Sequence, residues 1–203
     1  MGFGAPGTQG YAEAARRLLT TRLAFDEVHA PILHLFPRPP SRILDIGAGP
    51  GHDAATLAAM GHSVVAIEPE PTLLDGAIRL HGRDGIRWVA DALPDLARLP
   101  DPGERYAFIL VSGVWMHLDD GERRRAMPRV AGLLDARGVL AISLRHGPVP
   151  RGRRMFAVEA AETIALASAE ALECVVTVER NSVQEANRAA GVTWTHLAFA
   201  RAA

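Results

Sequence analysis

Apolar residues recur along this chain with two different periods. Over residues 11–24 and 25–36 they fall at helical spacing, and Phe25, Val28, Ile32 and Leu35 with Phe36 make one stripe. Pro37, Pro39 and Pro40 end that segment. From residue 42 onward, short apolar runs alternate with amphipathic stretches. The runs predict strands at 42–46, 63–67, 86–89, 106–111, 138–144, 172–180 and 192–201, and the stretches predict helices at 51–60, 70–80, about 93–98, 119–134 and 157–170. Strands that alternate with helices in this way predict an α/β fold, a doubly wound and mostly parallel sheet with helices on both faces. The connection 181–191 is too short to hold a crossover helix, so the last strand is expected to run antiparallel. Residues 1–10, rich in glycine, are expected to be a disordered tail. Residues 11–203 then form a single domain, with 11–36 as a helical cap or lid and 42–203 as the core.

Composition narrows the function classes. The 203 residues, 48% of them hydrophobic, suffice for one well-packed core. A net charge of −1 supplies no global field for nucleic acid or an anionic membrane. Every basic residue of the Lys/Arg class is an arginine, which removes lysine as a catalytic base. The one cysteine, Cys174, excludes an intramolecular disulfide and a cysteine-cluster metal site. With no signal-peptide pattern and no long apolar span, a cytoplasmic protein is expected.

Three strand ends carry polar signals. The first predicted strand runs into Gly47-Ala48-Gly49-Pro50-Gly51 and then a helix start at His52 and Asp53. A strand, a glycine turn and a helix in that order let the main chain approach a ligand closely and aim free backbone N–H groups at it. The second strand ends at Glu68, about one βαβ repeat downstream, where a carboxylate can accept from both hydroxyls of a ribose. The third ends at Asp91. In the dinucleotide fingerprint the third glycine would stand at position 52; that position is His52, and the third glycine is Gly51. An acid, Asp45, also precedes the first glycine by two residues, where dinucleotide folds are usually apolar.

With Asp45, the glycine run, Glu68 and Asp91, the chain resembles the class I S-adenosylmethionine-dependent methyltransferases over about residues 11–201. The resemblance implies a Rossmann-like sheet and an enzyme that uses S-adenosylmethionine as cofactor. It implies that Asp45, Gly47, Ala48, Gly49 and Gly51 surround the methionine part, and that Glu68 takes the ribose hydroxyls. Pro69 would pack on the adenine, and Asp91, with Ala92 and Leu93 beside it, would accept from the adenine amino group. Asp53 matches a position that touches the cofactor in some relatives; the macrodipole alone also favours an acid there. Asp91 has the alternative of capping a short helix near Leu93.

The end of the fourth strand faces the transferred methyl group in this family. Ser112, Gly113 and Val114 would line the donor there, with Trp115 and His117 toward the acceptor. His117 is the first candidate for a general base, since histidine titrates near neutrality; capping the helix that starts near Asp119 is its alternative. The stretch 145–156 is longer than an ordinary strand-to-helix turn of about 2–6 residues, and it holds four arginines and His146 among prolines and glycines. Arg145 and His146 are expected to face the pocket and read an anionic or polar acceptor, His146 as a second base candidate. Tyr11, Arg16, Arg22, Phe25 and His29 are lid candidates, with Tyr11 reaching the acceptor.

The turn Ser112-Gly113-Val114-Trp115 lacks the Asn/Asp-Pro-Pro-aromatic signature of methyltransferases that act on adenine or glutamine amino groups. No metal ligand set is recognisable, and Arg123-Arg124-Arg125 reads as a solvated helix face. What remains is methyl transfer to an oxygen or nitrogen of a small molecule. A protein that binds S-adenosylmethionine without transferring its methyl stays open. So does a nicotinamide-dependent oxidoreductase, which Gly51, Asp45 and the absent Tyr-x-x-x-Lys pair disfavour.

Overall fold

The computed structural model describes residues 6–99 and 103–201. Its centre is a seven-stranded sheet built from β1 (Arg42–Ile46), β2 (Ser63–Ile67), β3 (Ile86–Val89), β4 (Tyr106–Ser112), β5 (Leu134–His146), β6 (Leu172–Asn181) and β7 (Thr193–Arg201), in the order β3-β2-β1-β4-β5-β7-β6. All pairs up to β5 are parallel, while β7 runs antiparallel to both β5 and β6. The strand order reverses between β1 and β4, and the crevice at their carboxyl ends is where open α/β sheets take ligands.

The central strands read as continuous apolar runs because both of their faces are covered. One face carries Ile43, Phe108 and Ala141 under α3 (His52–Ala59), α4 (Pro71–His81) and Ile32. The other carries Leu44, Ile109 and Ile142 under α5 (Asp120–Gly132) and α6 (Ala160–Ala169). A fully buried side chain of this kind contributes about 1.5–3 kcal/mol over its exposed state.

The N-terminal cap is α1 (Tyr11–Thr20) and α2 (Phe25–His29), followed by a 3-10 segment Ala30–Leu35. Pro31 withholds a backbone N–H, and the helix expected over 25–36 tightens there. The turn Pro6–Thr8 is also formed, so the expected tail has structure from residue 6; residues 1–5 lie outside the described residues.

Three expectations need correction. Residues 93–98 form turns instead of a helix, because Asp91 captures the Arg98 N–H and Pro94 cannot donate. The β6–β7 connection does hold a helix, the five-residue α7 (Glu185–Ala189), yet β7 is antiparallel as expected. Arg123 is not on a solvated face. It is buried, donates to the Leu118 carbonyl at 2.5 Å, and pairs with Asp120 and with Glu162 at 3.1 Å.

Candidate active site

A cleft opens over the carboxyl ends of β1, β2 and β4, with about 650 Å³ of empty space, open solvent included. Its floor is the glycine turn, which lies between β1 and α3. Gly47, Gly49 and Gly51 all have positive φ. They do different things. A Cβ on Gly47 would stand 2.3 Å from Val114 Cγ2, so that glycine lets the turn lie against the end of β4. A Cβ on Gly51 would stand 2.4 Å from Trp88 Cη2 and 3.1 Å from Ala77 Cβ, so Gly51 serves packing of α3 against the sheet and α4. Only Gly49 meets open space, apart from the Gly47 carbonyl at 4.0 Å.

The turn does not present free N–H groups, contrary to expectation. Gly47 and Ala48 both donate to the Ile67 carbonyl at 2.8 Å, Gly51 to Ala48, and Gly49 to Glu68 Oε2 at 2.8 Å. A pyrophosphate would find its usual donors already engaged. Acids gather instead. Asp45 is buried behind the turn, and its Oδ2 has no hydrogen-bond partner among the described residues. Burial, and then the charges of Asp53 and Glu68, push its carboxyl well above the ordinary range. An orphaned, buried carboxylate oxygen beside two more acids suits a ligand that brings positive charge, such as an ammonium or sulfonium.

Glu68 accepts from the Gly49 and Glu70 amides, each at 2.8 Å. Burial dominates its titration and lifts it to about 7, against the lowering effect of those two N–H groups. Pro69, Ala92 and Leu93 continue the wall beyond it. Asp91 lines the same wall while accepting from Ala92 N at 2.8 Å and Arg98 N at 2.6 Å, bonds that fix the carboxylate's direction. Asp53 does not line the cleft; its Oδ2 lies 2.9 Å from His29 Nε2.

The roof comes from the chain's ends and loops. Tyr11 at the start of α1, with Gly7 and Thr8 before it, closes over Gly113, Val114, His117 and Leu118. The Tyr11 hydroxyl lies 2.9 Å from His117 Nε2, and His117 Nδ1 lies 2.7 Å from the Arg154 carbonyl. Arg154 in turn donates to the His117 carbonyl and to Glu122 and Asp119, the capping box of α5. Arg153 stacks on the Tyr11 ring, 3.4 Å from guanidinium carbon to centroid. A Cβ on Gly10 would meet the Gly152 carbonyl at 2.8 Å, so cap and loop touch backbone to backbone. The arginine-rich loop is thus a clamp on the roof.

Other expected residues fall elsewhere. Trp115 is fully buried in the core, its indole N–H has no partner among the described residues, and it does not line the cleft. Its apolar ring is worth more among Met127 and Leu140 than in solvent. Ser112 lines a second cavity on the other side of Gly113. His146 Nε2 is 2.8 Å from Thr195 Oγ1, away from both cavities, because alternation along β5 turns it to the opposite face from Arg145. Arg145 donates to the Pro148 carbonyl at 2.8 Å and lies near enough to feel the Tyr11 hydroxyl. Among the described residues there is no cluster of metal-ligating side chains and no helix long and apolar enough to cross a membrane. Gly7, Thr8 and Leu118 were not foreseen; the first two sit where no periodic pattern marks an element.

Residues 43–138 match the family model for a methyltransferase domain, a span that includes the glycine turn, Glu68, Asp91 and His117. No curated protein matches the chain by sequence. Among solved structures it is similar to 1,6-didemethyltoxoflavin-N1-methyltransferase of Burkholderia thailandensis, at 23% identity over 94% of this chain and 79% of that one, TM-score 0.66. It is also similar to magnesium protoporphyrin IX methyltransferase of Synechocystis, at 16% identity over 96% and 93%, TM-score 0.71. A third similar structure is N-methyltransferase NodS of Bradyrhizobium japonicum, at 20% identity over 94% and 98%, TM-score 0.68. The matched methyltransferase domain is carried on a sheet of order 3-2-1-4-5-7-6, and the chain shares the fold of these methyltransferase structures.

Proposed function

We propose that the protein is an S-adenosylmethionine-dependent methyltransferase of class I that acts on an oxygen or nitrogen of a small-molecule acceptor, and that His117, working through Tyr11, takes the acceptor's proton. The observation that carries this reading is the hydrogen-bonded pair Tyr11–His117 at the roof of the donor cleft. A carbonyl can only accept, so His117 Nδ1 bears the proton and donates it to Arg154, which leaves Nε2 as the acceptor of the Tyr11 O–H. Burial holds the imidazole below its ordinary pKa, aided by Arg153, Arg154 and Arg145 and opposed by the Arg154 carbonyl, so the ring is neutral and able to accept.

S-adenosylmethionine, when bound, supplies a methyl group on a cationic sulfur, open to in-line attack by an acceptor lone pair. In this reading Asp45 and the turn Gly47, Ala48, Gly49 hold the methionine end. Gly51 and Asp53 act behind them, Gly51 by seating α3 and Asp53 by its charge and its bond to His29. Glu68 takes the ribose hydroxyls, and Pro69, Asp91, Ala92 and Leu93 hold the adenine. Gly113 and Val114 face the reacting centre, where Gly7, Thr8 and Leu118 exclude water. As the acceptor loses its proton to the Tyr11 oxygen, the Tyr11 proton passes to His117 Nε2.

Support for a small acceptor comes from the size of the cleft and from similar structures whose names state action on a nitrogen, the toxoflavin N1-methyltransferase and the NodS N-methyltransferase. The test is incubation with S-adenosylmethionine and a panel of phenols, amines and carboxylates, with S-adenosylhomocysteine and methylated product read by mass spectrometry. Methylation on oxygen or nitrogen that falls about 100-fold in His117→Ala is expected. Donor binding with no product from any acceptor would favour a sensor that does not transfer.

A further inference from the structure

A second cavity, with about 600 Å³ of empty space including open solvent, lies across Gly113 from the donor cleft. Gly113 lines both. The cavity floor is a row of cross-strand partners, since Ser112 pairs with Ser143 and Ser143 with His196, so the three side chains stand on one face of the sheet. Trp194, Leu23 and Val28 form apolar walls, and Arg180 closes one side.

His196 is the informative residue. It is 6% exposed, lines the cavity, and its ring makes no hydrogen bond among the described residues. Buried polar rings are nearly always paired, and leaving one unpaired is costly. Burial, helped by His29 and Arg180, presses it down to about 4, so the ring is neutral with one donor and one acceptor nitrogen to offer. Ser143 accepts the Gly113 N–H at 2.8 Å, and its own O–H has no acceptor among the described residues. Arg180 donates to the Glu27 carbonyl at 2.8 Å but forms no ion pair among the described residues, and no carboxylate lines the cavity.

We infer that this cavity is the acceptor subsite and that it takes an aromatic carboxylate, its ring against Trp194 and its carboxylate on Arg180, Ser143 and His196. The inference rests on the methyltransferase reading above and names the substrate class for it. A guanidinium without a carboxylate partner, a hydroxyl whose proton has no acceptor and a neutral imidazole without a ring hydrogen bond, all among the described residues, are the donors that a carboxylate needs. The group to be methylated points the other way, over Gly113. That residue carries no side chain, and a Cβ there would stand 3.6 Å from Trp194 Cη2, in the passage between the cavities. The acceptor's lone pair forms the new bond to the methyl carbon, the sulfur–carbon bond breaks, and the proton leaves to Tyr11 and His117.

Benzoate and its neutral isostere benzamide test this by ligand-observed NMR titration of the protein saturated with S-adenosylhomocysteine. Benzoate is expected to bind about tenfold or more tightly than benzamide, and Arg180→Gln to weaken benzoate about tenfold with S-adenosylhomocysteine affinity within about twofold. Arg180→Lys, which keeps the charge but not the fork, is expected to restore part of the loss. Equal binding of the two probes, no effect of Arg180→Gln, or no benzoate binding to the loaded protein would overturn the acceptor assignment alone. Failure of S-adenosylhomocysteine itself to bind would overturn the cofactor reading beneath it.

Discussion

His117 stands between Tyr11 and Arg154, 2.9 Å from the hydroxyl of one and 2.7 Å from the carbonyl of the other. The carbonyl fixes the tautomer, and the tautomer makes Nε2 the acceptor. Tyr11→Phe keeps the ring under Arg153 and removes only the hydroxyl. Turnover is expected to drop by about 10²-fold, with S-adenosylhomocysteine affinity changed by less than about twofold. A variant that lost donor affinity and turnover together would show Tyr11 to be a lid residue instead of a proton carrier.

Because burial and three arginines hold His117 below its ordinary range, its neutral form persists into mildly acidic solution. The acid limb of the rate profile should therefore fall below pH 6.5, the ordinary value for histidine. Arg154→Met removes one of the charges that depress it, and is expected to move that limb toward higher pH. Rate–pH profiles of the two proteins at saturating donor check this.

On the proposed reading, Glu68 links cofactor binding to pH. Its folded value of about 7 is above the ordinary 4.5, so the folded chain binds more protons than the unfolded one between these values. The stabilising contribution is then fully present below 4.5 and is lost as pH rises through about 7, by up to about 3 kcal/mol. Two ribose hydroxyls donate best to the ionised carboxylate, because both of its oxygens accept and the bonds are charge-assisted. S-adenosylhomocysteine should thus bind more tightly as pH rises through 7 and release a proton below it. Calorimetry in buffers of different ionisation heat measures that proton, and thermal shifts at pH 5.5 and 8 should show the larger stabilisation at pH 8.

Gly49 and Gly51 separate ligand approach from packing. Gly51→Ala drives a Cβ into Trp88 and Ala77 at positive φ, and is expected to cost about 2–4 kcal/mol of stability. Gly49→Ala pays only the backbone strain of about 1–2 kcal/mol, because its Cβ meets no side chain, but it intrudes on the cleft. Denaturant melts and donor titrations of both variants should show the first effect mainly in stability and the second mainly in affinity.

Arg123 is buried with Glu162 and the Leu118 carbonyl as partners, and it ties α5 to α6. Arg123→Met should leave Glu162 and that carbonyl without their donor and cost about 2–4 kcal/mol, discounted from the fully buried case because Glu162 is partly exposed. Arg124→Met, on an exposed position of the same helix, should change stability by less than about 0.5 kcal/mol.

The core strands were legible because both faces of β1, β2 and β4 are covered, which leaves an uninterrupted apolar signature. The acids at strand ends were legible because the strand positions themselves were. What escaped was set by contacts between distant segments. The Gly49 N–H is taken by Glu68, nineteen residues away in sequence. Arg123 is buried only because Glu162 comes to meet it. His196 reads as one more residue of an apolar strand, and its lack of a partner shows only once β6 and the N-terminal cap are in place around it. Trp115 sits one turn from the site in sequence, yet the 3-10 segment Trp115–His117 directs it inward and His117 toward the cleft.

On the proposed reading, Glu68 and the acids around the glycine turn hold the ribose and the ammonium end of an S-adenosyl ligand in the donor cleft. Calorimetric titration with S-adenosylhomocysteine and, separately, with NADH tests it most directly. One-site binding of S-adenosylhomocysteine, weakened about 10-fold or more in Glu68→Ala, with no binding of NADH, is the predicted result. Binding of NADH alone, or S-adenosylhomocysteine binding that is indifferent to Glu68, would contradict it.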